Sequence, residues 1–165
     1  MLNKLAGRGG YLLGFLVSFG LVALALYLQK AYNLEPCPLC IFQRIAFMVL
    51  GLIFLAAGIQ NPGKAGRQVY GALQFLAAVV GAGIASRHIW IQAHPDQVMS
   101  ECGAGFDYIY QTLPFQQFLN WVFKGTGECS AIDWTFIGLT IPQLSLIAFV
   151  GLAAYSILLI FLKKK

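Results

Sequence analysis

Charge is scarce in this sequence. Of 165 residues, only 10% are Asp, Glu, Lys or Arg, against 59% hydrophobic, and the mean hydropathy is +0.73. A water-soluble domain of this size has too little interior to hide so much apolar surface, so the composition belongs to the membrane class. Acids are scarcer still, six in all, and the eleven basic residues are dispersed along the chain, which argues against nucleic-acid binding. There is no internal repeat and no low-complexity segment. Polar residues are nearly absent from the long apolar runs, whereas a transporter would show polar or broken helices at the midplane. Cysteine is limited to four, of which only Cys37 and Cys40 form a close pair.

Four windows reach the length needed to cross a bilayer, roughly 20 apolar residues: 11–28, 41–59, 69–86 and 143–162. The second contains Arg44 and the third Gln74. The first resembles a signal peptide, with Lys4 and Arg8 ahead of it and Ala23-Leu24-Ala25 as a cleavage-like site. Its apolar run continues past that site, so an uncleaved span is expected. Lys4 and Arg8 precede the first span, Lys64 and Arg67 fall in the 60–68 turn, and Lys163, Lys164 and Lys165 follow the last span. These share one side, with no acid among them. Lys30, Arg87, Lys124 and every acid, Glu35, Asp96, Glu101, Asp107, Glu128 and Asp133, fall on the other. The positive-inside rule then puts both termini in the cytoplasm. The expected fold is all-α: an integral membrane four-helix bundle forming a single domain over 1–165. Its parts are a cytoplasmic 1–10, a first outer loop 29–40, the turn 60–68, a long outer loop 87–142 and a tail 163–165.

All four cysteines fall on the outer side, where disulfides are permitted. Three pairings exist, and the close pair Cys37–Cys40 with the loop pair Cys102–Cys129 is the simplest resting state. A disulfide across Cys37-Pro38-Leu39-Cys40 closes too small a ring to restrain the chain much, so a redox role fits better than a static staple. At a helix N-terminus, unpaired amides and the helix dipole favour a thiolate. Pro36 and Pro38 suit the first turn. Zinc is the other use of such a pair. It needs further ligands at suitable spacing, and Cys102 and Cys129 are well separated with no second close pair, so no metal is expected.

Arg44 lies one turn below Cys40 on the same face. It either snorkels to the headgroups or donates hydrogen bonds to an oxygen-bearing ligand such as a quinone, or to the Cys40 thiolate. His88, at the outer end of the third span, is either an interfacial residue or a ligand or proton-handling group; His94 is a weaker candidate of the same kind. In the long loop, 114-PFQQFLNWVF-123 sets Phe115, Phe118, Leu119 and Val122 at helical spacing, with Trp121 alongside. This predicts a short amphipathic helix, lying on the membrane surface or packed on the bundle. Glycine-rich stretches carry both loop cysteines, 101-ECGAGF-106 and 125-GTGECS-130. Small residues four apart in the third span, Ala77 and Gly81, Ala78 and Ala82, Gly81 and Ala85, predict close helix packing.

Pro36-Cys37-Pro38-Leu39-Cys40-Ile41-Phe42-Gln43-Arg44, with Gly127-Glu128-Cys129, Trp134, Gly138-Leu139 and Pro142-Gln143, resembles the disulfide bond formation protein B (DsbB) family of bacterial inner membranes. The likeness covers most of the chain, and His88 falls where relatives also carry a histidine. One departure is Pro38, where a family member carries valine; residues between the cysteines tune reduction potential. The resemblance implies an integral-membrane thiol–quinone oxidoreductase that reoxidises a periplasmic thiol oxidase of the DsbA type, sustaining disulfide bond formation. It implies that Cys102 forms the mixed disulfide with that partner and that Cys129 attacks Cys37. Cys40 is then left as a thiolate facing ubiquinone or menaquinone, with Arg44 holding the quinone. A DsbA-type partner is a strong oxidant, at about −120 mV, so few ordinary disulfides can reoxidise it, and a quinone supplies the pull. Alternatives are a paralogue serving a dedicated partner and, from another class, a non-catalytic membrane scaffold with structural disulfides. Vitamin K epoxide reductase-like enzymes also pair Cys-x-x-Cys with a quinone, but near the end of the bundle sequence.

Overall fold

The computed structural model describes residues 7–33, 36–97, 114, 127–130, 132 and 134–161. Cys102, the helix expected after Pro114, Lys4 and the terminal lysines lie outside the described residues.

Four helices long and apolar enough to cross a membrane make up the architecture: α1 (Arg8–Tyr32), α2 (Pro38–Gln60), α3 (Lys64–Ala93) and, after the short turn α4 (Gly127–Ser130), α5 (Ile141–Phe161). This is a multi-pass membrane protein built as a four-helix bundle. Each boundary has a local cause. α1 and α2 end at asparagines in the left-handed region, Asn33 (φ 49°) and Asn61 (φ 45°), a conformation that asparagine tolerates better than most residues. The Asn61 amide donates to the Ala57 carbonyl at 2.9 Å, and Pro62-Gly63 then breaks the chain before α3. Pro38 occupies the first turn of α2, where its missing N–H costs nothing. A hairpin of β1 (Thr135–Phe136) and β2 (Leu139–Thr140) turns through Ile137 and Gly138, both at positive φ, and leads into α5. There the Thr140 amide donates to Gln143 Oε1 at 2.9 Å, half of a capping box, with Pro142 in the first turn.

α1 packs on α2, α2 on α3, and α3 along α5. α5 closes the bundle against the others: Phe149 stacks on Phe47 of α2 with ring centroids 3.8 Å apart, and the Tyr155 hydroxyl donates to the Gly10 carbonyl of α1 at 2.9 Å. The core holds Phe47, Leu50, Phe54, Phe149 and Leu152. Gly81 allows α3 this close to α5, since a Cβ there would meet the Phe149 ring at 2.2 Å. Polarity is arranged for lipid rather than water. Leu16, Ile59 and Val80 face outward, more than half exposed, while Ser18, Gln74 and Ser156 are fully buried. The two serines satisfy themselves on the carbonyls of Gly14 and Leu152, one turn back. Among the described residues, neither amide atom of Gln74 has a hydrogen-bond partner.

Candidate functional site

The site grows from the start of α2. Cys37 is the N-cap, in extended conformation (φ −64°, ψ 160°), and the helix runs from Pro38, so Cys40 sits inside its first turn. That turn brings the sulfurs together: the Cys37 thiol donates to Cys40 Sγ at 3.4 Å. Both are thiols in this structure, as is Cys129. Hydrogen bonding with Cys129 and then with Cys40, together with burial, holds the Cys37 thiol well above the ordinary thiol range.

His88 reaches the pair from the far end of α3. Its Nε2 lies 3.6 Å from Cys37 Sγ and its Nδ1 lies 4.0 Å from Cys40 Sγ. The ring is 2% exposed and held at both nitrogens. The Gln43 side-chain amide, itself buried, meets Nδ1 at 3.1 Å, and Nε2 meets the Cys129 carbonyl at 3.2 Å. With the amide N–H donating to Nδ1, the proton belongs on Nε2, where the carbonyl accepts it; this tautomer is assigned from the network.

Cys129 arrives on α4, which packs against α3. It is almost fully buried, and its sulfur, Cys37 Sγ and a His88 ring nitrogen all lie within 4.8 Å of one another. Three cysteines from two distant parts of the chain therefore share one pocket with one imidazole. Arg44 does not join this cluster. Its Nη1 donates to Gln29 Oε1 of α1 at 2.5 Å, which fixes the guanidinium between α1 and α2. His94 stands apart, exposed and stacked on Trp90. Cys102 lies outside the described residues.

Beside the cluster opens a cavity of about 170 Å³ between the helices. Its walls are apolar, with Val22, Ala25 and Leu28 of α1, Phe47 of α2 and Leu144 and Ala148 of α5. Its polar edge is Cys37, Cys40, Gln43, Arg44, Gln29 and His88. Neither Gln43 nor Gln29 stands out as a site residue from the sequence alone. A signal existed for Gln43: apart from Arg44 it is the one polar side chain in the run 41–59, three residues beyond Cys40. Gln29 directly follows the first apolar window and carries no such signal.

Fold and site together define a multi-pass helical membrane protein with a buried thiol cluster at one end of the bundle, beside an apolar cavity. Compared with known proteins, residues 7–159 match the family model described as "Disulfide bond formation protein DsbB". A protein of Methylobacillus flagellatus named "Disulfide bond formation protein B" is 69% identical over 165 residues, covering 99% of each chain. Proteins of the same name from Xanthomonas campestris pv. campestris and Hahella chejuensis are 50% and 45% identical, over 91% of this chain and 88% and 91% of their own. The chain belongs to the DsbB family of disulfide bond formation proteins.

Proposed function

We propose that this protein reoxidises a periplasmic thiol oxidase of the DsbA type and delivers the electrons to a membrane quinone, from the bacterial inner membrane with both termini in the cytoplasm. The observation that carries this reading is the convergence of Cys129 on the Cys37–Cys40 pair beside an apolar cavity edged by Arg44. In the relay, Cys102 takes the mixed disulfide with the partner, and Cys129 is freed as its thiolate. Attack of Cys129 on Cys37 forms the Cys37–Cys129 bond and breaks Cys37–Cys40. Cys40 leaves as a thiolate in the first turn of α2, where the helix N-terminus stabilises negative charge. Cys40 Sγ at 3.4 Å and Cys129 Sγ within 4.8 Å of Cys37 Sγ support both exchanges, since one sulfur must serve two partners in turn.

The residues present fit a quinone. The cavity walls suit an apolar ring and tail, and Arg44 offers donors to a carbonyl oxygen on the polar edge that it shares with Cys40. A bound quinone supplies the acceptor for two electrons and two protons. Arg44 would hold it, with Gln29 fixing the guanidinium, and His88, oriented by Gln43 at Nδ1 and by the Cys129 carbonyl at Nε2, would line the same edge. The apolar walls keep water from the thiolate.

The test mixes purified protein with a reduced DsbA-type protein and a soluble quinone analogue and follows quinone absorbance. Cys40→Ser is expected to abolish quinone reduction. A variant that reduces quinone as fast as the parent would remove Cys40 from the relay and sink the reading.

A further inference from the structure

We propose that the reduced protein contains a zinc site made of Cys37, Cys40, Cys129 and His88. In sequence, the Cys37–Cys40 pair lacks neighbouring ligands. In the fold, α3 and α4 deliver two. Tetrahedral zinc, with Zn–S near 2.3 Å and Zn–N near 2.0–2.1 Å, sets its ligands about 3.8 Å apart for sulfur–sulfur edges and about 3.5 Å for sulfur–nitrogen edges. Cys37 and Cys40 stand at 3.4 Å, and Cys37 and His88 Nε2 at 3.6 Å. Cys129 lies within 4.8 Å of both Cys37 and His88, so its sulfur closes those two edges with a shift of about 1.3 Å or less, within reach of a side-chain torsion; Cys40, 4.0 Å from His88 Nδ1, turns toward Nε2 to complete the four.

The surroundings also suit a metal. Cys37, Cys129 and His88 are buried, and soft thiolates beside an imidazole select zinc over hard cations. Gln43 lies on Nδ1, and Nε2 reaches the metal once it gives up the Cys129 carbonyl that it meets at 3.2 Å. With zinc on Nε2, Nδ1 carries the proton, and the Gln43 amide turns over to accept it through Oε1. This is the outer hydrogen bond that ligating histidines regularly make. Binding exchanges three S–H bonds for three Zn–S bonds and adds one dative bond from the imidazole. Three protons go to solvent, and no electrons move. Occupancy therefore falls as pH falls. It also requires the dithiol, because a sulfur in the Cys37–Cys40 or Cys37–Cys129 disulfide is no longer a thiolate ligand. Zinc and disulfide are mutually exclusive at this site, so zinc would hold the reduced chain out of turnover; that last consequence rests on the relay proposed above.

Cobalt(II) is the probe, added anaerobically to the full-length reduced protein in detergent, with neither quinone nor thiol partner present. The expected result is one cobalt per chain with the intense visible bands of tetrahedral thiolate coordination, bleached by stoichiometric zinc. The same polypeptide, oxidised beforehand, is expected to bind none, which removes folding of variants from the comparison. Gln43→Leu is expected to weaken binding about 10–100-fold, and Cys129→Ser and His88→Ala at least as much; Cys102→Ser should leave it unchanged. Absence of the bands in reduced protein, equal binding by oxidised protein, full binding by Cys129→Ser, or loss in Cys102→Ser would each overturn the assignment. In a parallel arm, zinc should slow quinone reduction and a chelator restore it; unchanged turnover with zinc bound would overturn the inhibitory consequence. Cobalt binding by a chain that fails the quinone assay would refute the relay and leave the metal site standing.

Discussion

Replacing Gln43 with leucine isolates what the buried amide does. Leucine has similar bulk and keeps the helix, so the change removes one interaction, the 3.1 Å contact with His88 Nδ1. Both partners are almost fully buried, at 3% and 2% exposure, so water cannot replace the lost bond. Leaving a buried acceptor unsatisfied costs about 1–3 kcal/mol. Where that cost falls on the orientation of His88 beside the thiols, it corresponds to a decrease of roughly 5- to 150-fold in kcat/KM for quinone, at about 1.4 kcal/mol per factor of ten. The assay is quinone reduction by purified Gln43→Leu, with nitrogen-15 NMR of the imidazole alongside. The parent should show a single Nε2–H tautomer and the variant a mixture. A variant with lowered Tm, unchanged kcat/KM and an unchanged tautomer would make Gln43 a packing residue and refute its positioning role.

Gly81→Ala would force a methyl group into the Phe149 ring, which is itself stacked on Phe47. A loss of about 1–3 kcal/mol is expected in reversible unfolding in detergent, and an unchanged stability would mean that α3 and α5 separate freely. Gln74→Met should raise Tm, because an apolar side chain of similar length replaces a buried amide that has no partner among the described residues; a fall in Tm would reveal a hydrogen bond made by Gln74. Gln29→Leu frees the Arg44 guanidinium and should raise the KM for a quinone analogue several-fold with little change in kcat. A fall in kcat at constant KM would place the effect on chemistry rather than on binding.

The four-helix membrane fold was legible because a spanning helix must be continuously apolar for about 20 residues, a signal that no tertiary contact can erase. Local punctuation was plain at Asn61-Pro62-Gly63, which separates α2 from α3, whereas α2 starts at Pro38, three residues ahead of the window expected from Ile41. The small-residue pattern around Gly81 announced a close contact but not that Phe149 would fill it. The site was only partly legible. The motif around Cys37 and Cys40 is local and carries its own chemistry, whereas the approach of Cys129 and His88 to Cys37 joins three separate segments, and no spacing rule encodes that. The same gap bears on the proposed zinc site: counted along the chain the ligands are too few, but the fold brings Cys129 and His88 to Cys37, whose sulfur is 3.4 Å from that of Cys40. Gln29 escaped notice because a glutamine at the end of an apolar run looks like an interfacial residue until Arg44 is seen to reach it.

The relay stands or falls on whether Cys129 can reach Cys37 from its place on α4. A variant carrying Cys40→Ser and Cys102→Ser retains only that pair of thiols. After mild oxidation, proteolysis and mass spectrometry should yield a peptide joined through a Cys37–Cys129 disulfide, with neither thiol open to alkylation. Full alkylation of both cysteines after the same oxidation would show that the two sulfurs do not meet, and the proposed transfer from loop to helix would be wrong.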